Sequence, residues 1–332
     1  MLVGLSCYGT LKAQSDATYS ELGKRMDRVE TIVSKLPKLS GFLNMRYQWD
    51  SSDRSNSFDI RRARVSFKGD LSSKLDYCLQ VEFASPKILD AYMRYKVARQ
   101  FNIQAGEFKI PFTMENTYGP HTLETAENSM AISRLCNYSD ISGTASNGRD
   151  IGVAVYGGFW AKDGYNLLDY EVGVFNGNGI NVRDNNKAKD FSGRLTLNPT
   201  PHLRLSGSYY YGTYGRTDEM THNRRRVAAG IRWEDQRLLI RSEYVYGRTA
   251  GVKSEGVYCV AGYFVSPKFQ PLLKYDYFKA DRSDIFSKEN DYLVGLNYYP
   301  ISFLRLQANY TYKNLSGASD THLFALQFFA MF

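Results

Sequence analysis

From residue 38 to the C-terminus, apolar and polar side chains alternate with a period of two, segment after segment. Successive side chains of a strand point to opposite faces, whereas a helix repeats its apolar positions every three to four residues, so this pattern admits strands and little else. Leu75, Tyr77, Leu79, Val81 and Phe83 are apolar, with Asp76, Gln80 and Glu82 between them. Leu203 to Tyr211 and Leu304 to Tyr312 alternate in the same way. About sixteen such segments can be marked, each of about 8–13 residues. Their connections mostly alternate between tight turns rich in Pro, Asn and Asp and longer polar loops, with Ser85–Lys87 short where a long loop is due. That alternation is the signature of a membrane barrel with turns on one side and loops on the other.

A soluble β-sandwich would also alternate, but its inward face must be a dry core. Here the polar face carries Arg62, Arg64, Arg94, Arg194, Arg204, Arg232, Arg241 and Arg305. Unpaired charges cost too much for a packed core, and a water-filled lumen hosts them. A barrel wide enough to hold water takes about sixteen strands. Composition agrees: 26 of 332 residues are Tyr, a strand former with an apolar body and a wet tip. No run of about 18 apolar residues occurs, which excludes an α-helical membrane protein.

The last segment, Thr321 to Phe332, places Phe324, Leu326, Phe328, Ala330 and Phe332 on one face. In a soluble protein this would be an exposed aggregating edge, whereas in a barrel it pairs with the first strand. A final strand ending in Phe, with Phe328 and Phe332 on its apolar face, resembles the assembly signal of bacterial outer-membrane proteins. That resemblance implies the barrel assembly machinery as a partner.

The front of the chain differs. Residues 1–13 read as the remnant of a signal peptide, with Ala13 at the −1 position of a cleavage site. Over residues 14–37, Tyr19, Leu22, Met26, Val29, Val33 and Leu36 follow heptad spacing up to Pro37. This predicts a periplasmic helix that trimerises as a short coiled coil or caps the larger domain. Residues 38–332 form the barrel.

Other function classes find little support. Cys7, Cys78, Cys136 and Cys259 are scattered, and His121, His202, His222 and His322 show no metal-ligand spacing or nucleophile motif. No enzyme, metal or cofactor is expected. An outer-membrane lipase using His121 or His222 at the rim is the one enzymatic alternative. The run Arg224–Arg226 opens a strand after a long loop, so it is expected at the outer rim, drawing in anionic solutes or binding lipid headgroups rather than nucleic acid. The formal charge of +8 suits an anionic partner.

Four stretches carry a family likeness. They are Gly41 to Trp49 followed by Arg61-Arg-Ala-Arg64, then Asp90-Ala-Tyr92 leading to Gly106-Glu-Phe-Lys109-Ile-Pro-Phe112, then Phe175-Asn-Gly-Asn-Gly179, and the terminal Phe strand. In this order they resemble the phosphate-selective porin O and P family over residues 38–332. The resemblance implies a sixteen-stranded trimeric pore of the bacterial outer membrane, in some members selective for phosphate or polyphosphate through a basic constriction. This chain departs in its short external loops and in lacking an Arg ladder along one loop.

The one very long connection, 110–146, follows the fifth strand and is expected to fold into the lumen as a constriction loop. It carries Glu115, His121, Glu124, Glu127, Arg134, Cys136 and Asp140. Parity turns Ala63, Val65 and Phe67 to lipid and Arg62, Arg64 and Lys68 inward. On the fourth strand it turns Asp90, Tyr92, Arg94 and Lys96 inward and Leu89, Ala91, Met93 and Tyr95 outward. A β-bulge is expected within 101–109, because Ile103 and Phe108 cannot both face lipid. Arg62, Arg64, Lys68, Arg94, Lys96, Lys109 and Arg134 are the candidate pore-lining, anion-binding residues. Inward acids, among them Asp76, Glu82, Asp90, Asp169, Glu171, Glu243 and Asp276, would pair some of them. The chain therefore reads as an all-β transmembrane antiparallel barrel that passes small anions, with phosphate or polyphosphate as candidates. The alternatives are a non-selective porin, and a surface barrel acting as an adhesin or scaffold.

Overall fold

A computed structural model describes residues 21–28, 36–215, 222–281 and 288–332. Sixteen strands account for most of it. They are β1 (Lys38–Asp50), β2 (Ser55–Ser72), β3 (Leu75–Glu82), β4 (Lys87–Ala98), β5 (Phe101–Lys109), β6 (Arg149–Lys162), β7 (Tyr165–Phe175) and β8 (Asp190–Leu197). The second half comprises β9 (Leu203–Tyr214), β10 (His222–Glu234), β11 (Leu238–Thr249), β12 (Val252–Tyr263), β13 (Phe269–Ala280), β14 (Lys288–Ile301), β15 (Leu304–Leu315) and β16 (Thr321–Met331). Each pairs antiparallel with its sequence neighbours, and β1 pairs with β16 to close the barrel. The closure is tight at the C-terminus, where Gly41 and Phe332 exchange two backbone hydrogen bonds of 2.9 and 3.0 Å. No edge remains to aggregate.

Short turns and both ends of the sheet lie on one rim, and most of the longer loops lie on the other. The β6–β7 turn is Asp163-Gly164, with both residues at positive φ (46° and 88°), as a two-residue hairpin matching strand twist requires. Ala250-Gly251 turns β11 into β12 in the same way (49° and 86°), on the rim where longer loops prevail.

Outward side chains are apolar and exposed, among them Met45, Phe67, Val153, Leu195, Leu273 and Val294. This is the band a hydrocarbon layer would cover. The expected bulge within 101–109 is absent: β5 pairs with β6 without interruption from Asn102 to Lys109. Phe108 instead faces inward and is buried. Register shifts fall elsewhere, one skipping Arg61 in the β1–β2 pairing and one skipping Leu89 in β3–β4. The second corrects the outward placement of Leu89, which is fully buried.

Residues 21–28 are helical and exposed. The signal remnant at 1–13 and most of the heptad segment 14–37 lie outside the described residues.

Candidate functional site in the lumen

The β5–β6 connection leaves the wall at Lys109 and returns at Arg149. It enters the barrel because its apolar side chains find an apolar patch on the inner wall. Ile110, Phe112, Ile132 and Leu135 join Phe108, Phe175, Tyr210, Val245 and Tyr258 in one buried cluster. Each large side chain buried this way contributes about 1.5–3 kcal/mol, so the cluster decides which wall the loop lies against. A short helix, Met130–Leu135, presents Ile132 and Leu135 to it.

Polar groups of the wall then satisfy the loop's backbone, which would otherwise be buried without partners. Glu243 on β11 accepts from the backbone N–H of Met114 and of Glu115 at 2.6 and 2.8 Å. Asp276 on β13 accepts from the Met130 N–H at 2.9 Å, and Asn309 on β15 from the Ala126 N–H at 2.7 Å. Arg305 and Gln307 donate to the carbonyls of Leu123 and Glu124. Two arginines grip loop carboxylates. Arg226 donates to both oxygens of Asp140 (2.6 and 2.7 Å), and Arg241 reaches Glu115 at 3.2 Å and Glu124 at 2.8 Å. Burial would raise the Asp140 carboxyl, but the Arg226 guanidinium holds it below the ordinary carboxylate value.

These contacts correct one expectation. Arg224 and Arg226 do not sit at the outer rim facing solvent; they point inward and are 0 and 2% exposed. Arg224 donates to Asp190 at 2.6 Å. Only Arg225 of the run faces outward, over the Tyr211 ring. Much of the basic inner face therefore meets the loop instead of open water.

The candidate pore-lining residues divide by environment. Arg64 is buried against Glu82 at 2.8 Å. Arg94 and Lys96 share Asp76, each at 2.8 Å. Lys109 donates to the carbonyls of Asn116 and Tyr118 at 2.5 and 2.6 Å, so it holds the loop's own turn. Lys68 is exposed on β2 opposite Cys78 and has no ion-pair partner among the described residues. Arg62 and Arg134 come together at a cavity of about 410 Å³ that the loop leaves open.

That cavity runs beside β13 to β16 and β2. Arg61, Arg62 and Arg134 stand on it together with Lys274 and Lys313, and so do Glu127, Asp276, Glu289 and Asp291. The register shift at Arg61 turns two consecutive arginines into the lumen where strict alternation allows one. Arg61 pairs with Glu127 through two hydrogen bonds, and Arg46 bridges Glu127 and Asp59. Two guanidinium groups thus share two carboxylates, and Arg62 beside them makes no hydrogen bond or ion pair among the described residues. Sequence parity found Arg62 and Asp276 but missed Arg61, because a bulge leaves no trace in side-chain alternation; Arg46, Glu289 and Asp291 were not singled out either. Among the described residues no group of three or more His, Cys, Asp or Glu could hold a metal ion.

The profile of the family described as phosphate-selective porin O and P matches residues 42–236 and 213–328. No curated protein matches the chain. Among solved structures, an anion-selective porin from Comamonas acidovorans aligns with a TM-score of 0.67 at 11% identity, covering 89% of this chain and 99% of that one. OmpF of Salmonella typhi in complex with daunomycin aligns at 0.69 and 12% identity, covering 90% and 98%. The trimer form of OmpT from Vibrio cholerae aligns at 0.62 and 13% identity, covering 89% and 99%. At these identities the likeness is one of fold.

Proposed function

The chain belongs to the phosphate-selective porin O and P family, and from that premise we propose that small anions cross it by passive diffusion beside the inserted loop. It is a porin of the bacterial outer membrane. The observation that carries the anionic reading is Arg62, a lumen guanidinium that no carboxylate of the described residues approaches within ion-pair distance, next to Arg61 and Arg134 on one cavity. Clustered cations raise the local concentration of anions, and guanidinium forks match phosphate oxygens two at a time. Phosphate or polyphosphate is therefore the first solute to test. The mechanism needs no cofactor, energy source or catalytic step. The trimer form of the Vibrio cholerae protein and the heptad spacing of residues 14–37 support a homotrimer.

A second reading has its own observation. Asp276, Glu289 and Asp291 stand on the same cavity, so the field of the arginines is opposed within the lumen. In that case the pore is a non-selective porin. Reversal potential in a planar bilayer across a KCl gradient separates the two. Anion preference that falls about fourfold in Arg62→Gln, the effect of one unit charge about 5 Å away in water, supports the anion channel. Block of the current by millimolar phosphate in the wild type, weakened in Arg134→Gln, adds phosphate. A reversal potential near zero that neither substitution moves overturns both statements.

A further inference from the structure

The outer face of the barrel carries a second basic cluster that the lumen does not use. On β10 to β14, at the rim opposite the chain ends, Arg225, Arg248, Lys253, Lys279 and Lys288 all point away from the lumen, since their neighbours Arg224, Thr249, Ser254 and Ala280 are the buried, inward ones. Strand register puts them side by side. Arg225 lies directly opposite Arg248, Arg248 opposite Lys253, and Lys279 opposite Lys288. Like charges in such cross-strand pairs repel and destabilise a bare sheet.

Internal neutralisation is slight. Lys279 reaches Asp281 at 3.5 Å. Glu255 lies opposite Lys279 but accepts from the Tyr244 hydroxyl at 2.9 Å. Arg225 lies over Tyr211, Lys288 over Tyr277, and Arg248 donates to the Gly251 carbonyl at 3.4 Å. None of Arg225, Arg248, Lys253 and Lys288 has an acidic partner among the described residues.

Immediately below the cations comes a belt of outward tyrosines, Tyr244, Tyr246, Tyr275, Tyr277 and Tyr292. Below the belt the outward residues are Ile231, Ile240, Leu273 and Val294, all exposed. Tyrosine belts mark the membrane–water boundary, so the cations stand at headgroup height on the loop side of the membrane. Across five adjacent strands they span about 19 Å.

We infer that this cluster binds a phosphorylated lipid of the outer leaflet, its phosphates on the Arg and Lys row and its acyl chains against the apolar residues below. The anion neutralises the cross-strand repulsion, and the tyrosines flank its polar backbone. The site is separate from the pore, and its occupancy does not depend on what the pore conducts.

Native mass spectrometry of the detergent-solubilised barrel, titrated with diphosphoryl lipid A, tests this. Retention of the diphosphoryl lipid, with little retention of phosphatidylcholine, is expected. Occupancy should fall about fivefold per cation removed in the series Lys253→Gln, Lys288→Gln, Arg248→Gln and Arg225→Gln, at about 1 kcal/mol each. A control variant with Lys74→Gln, Arg237→Gln and Lys268→Gln, at the turn end, should bind as the wild type does. Equal loss in the control would mean that net charge alone attracts the lipid, and would overturn the site. So would undiminished binding in the neutralised series, equal retention of phosphatidylcholine, or displacement by millimolar inorganic phosphate. Should the fourfold variant fail to insert, the single variants Lys253→Gln and Lys288→Gln decide the matter, since both side chains are exposed.

Discussion

Arg226 is a fully buried cation whose partner, Asp140, lies on another element and is equally buried. Replacing both with apolar groups could be neutral, but removing one strands the other charge, which costs about 3–5 kcal/mol. Arg226→Ala is therefore expected to free the loop from the β10 wall. The temperature at which the barrel loses heat-modifiable migration should fall, and single-channel current should become noisier. Arg226→Lys should recover only part, because an ammonium cannot hold both Asp140 oxygens in the parallel geometry seen. Unchanged noise in both variants would refute the clamp. The inward direction of Arg62 was legible in the sequence because alternation alone sets it. The role of Arg226 was not, because its partner is 86 residues away and nothing local marks it. A run of three arginines after a loop invites a solvent-facing reading; the sheet splits the run between two faces.

The loop as an element is held more tightly by backbone acceptors than its mixed sequence suggests. His121 is the titratable point along it. Its ring packs on Phe42 at 4.9 Å, and burial, then the nearby Arg305 and Arg64, lower its pKa from 6.5 to about 4. A histidine with a depressed folded value is held neutral, and the released loop binds the proton more readily than the docked one. Stability of docking is thus complete above about pH 6.5 and declines as pH falls towards 4. Closure events and current noise should increase over that window in the wild type and stay flat in His121→Phe, whose ring keeps the Phe42 contact without titrating. A flat wild-type profile would rule out His121 as the sensitive group. All sixteen strands were visible beforehand, since period-two patterning reports the environment of two faces and needs no knowledge of partners. The loop's entry into the lumen was legible from its length and position. Its side of the barrel was not: that follows from the Phe108 and Phe175 patch, and strict parity had set Phe108 in conflict with Ile103.

For the molecule as a whole, a formal charge of +8 says less about permeation than the placement of a few groups does. Much of the inward positive charge is consumed holding the loop, through Arg226, Arg241 and Arg305, and Arg224 is taken up by Asp190 on the wall and by the loop's Asn137. More lies outside, on β10 to β14. On the proposed path, a passing ion meets Arg61, Arg62 and Arg134 opposed on one cavity by Glu127, Asp276, Glu289 and Asp291. Such a contest has a range. At about 0.1 M salt the screening length is about 10 Å, comparable with the cavity, and at 1 M it is about 3 Å. Anion preference should therefore be strong at low salt and weak at molar salt. Glu289→Gln with Asp291→Asn should raise it severalfold at low salt, because neither acid supports a loop backbone group. The same double variant should leave the low-salt advantage of Arg62 over Arg62→Gln intact. If preference is instead independent of salt and of both acids, the solute is sorted by the width of the gap beside the loop, and lumen charge serves the fold alone.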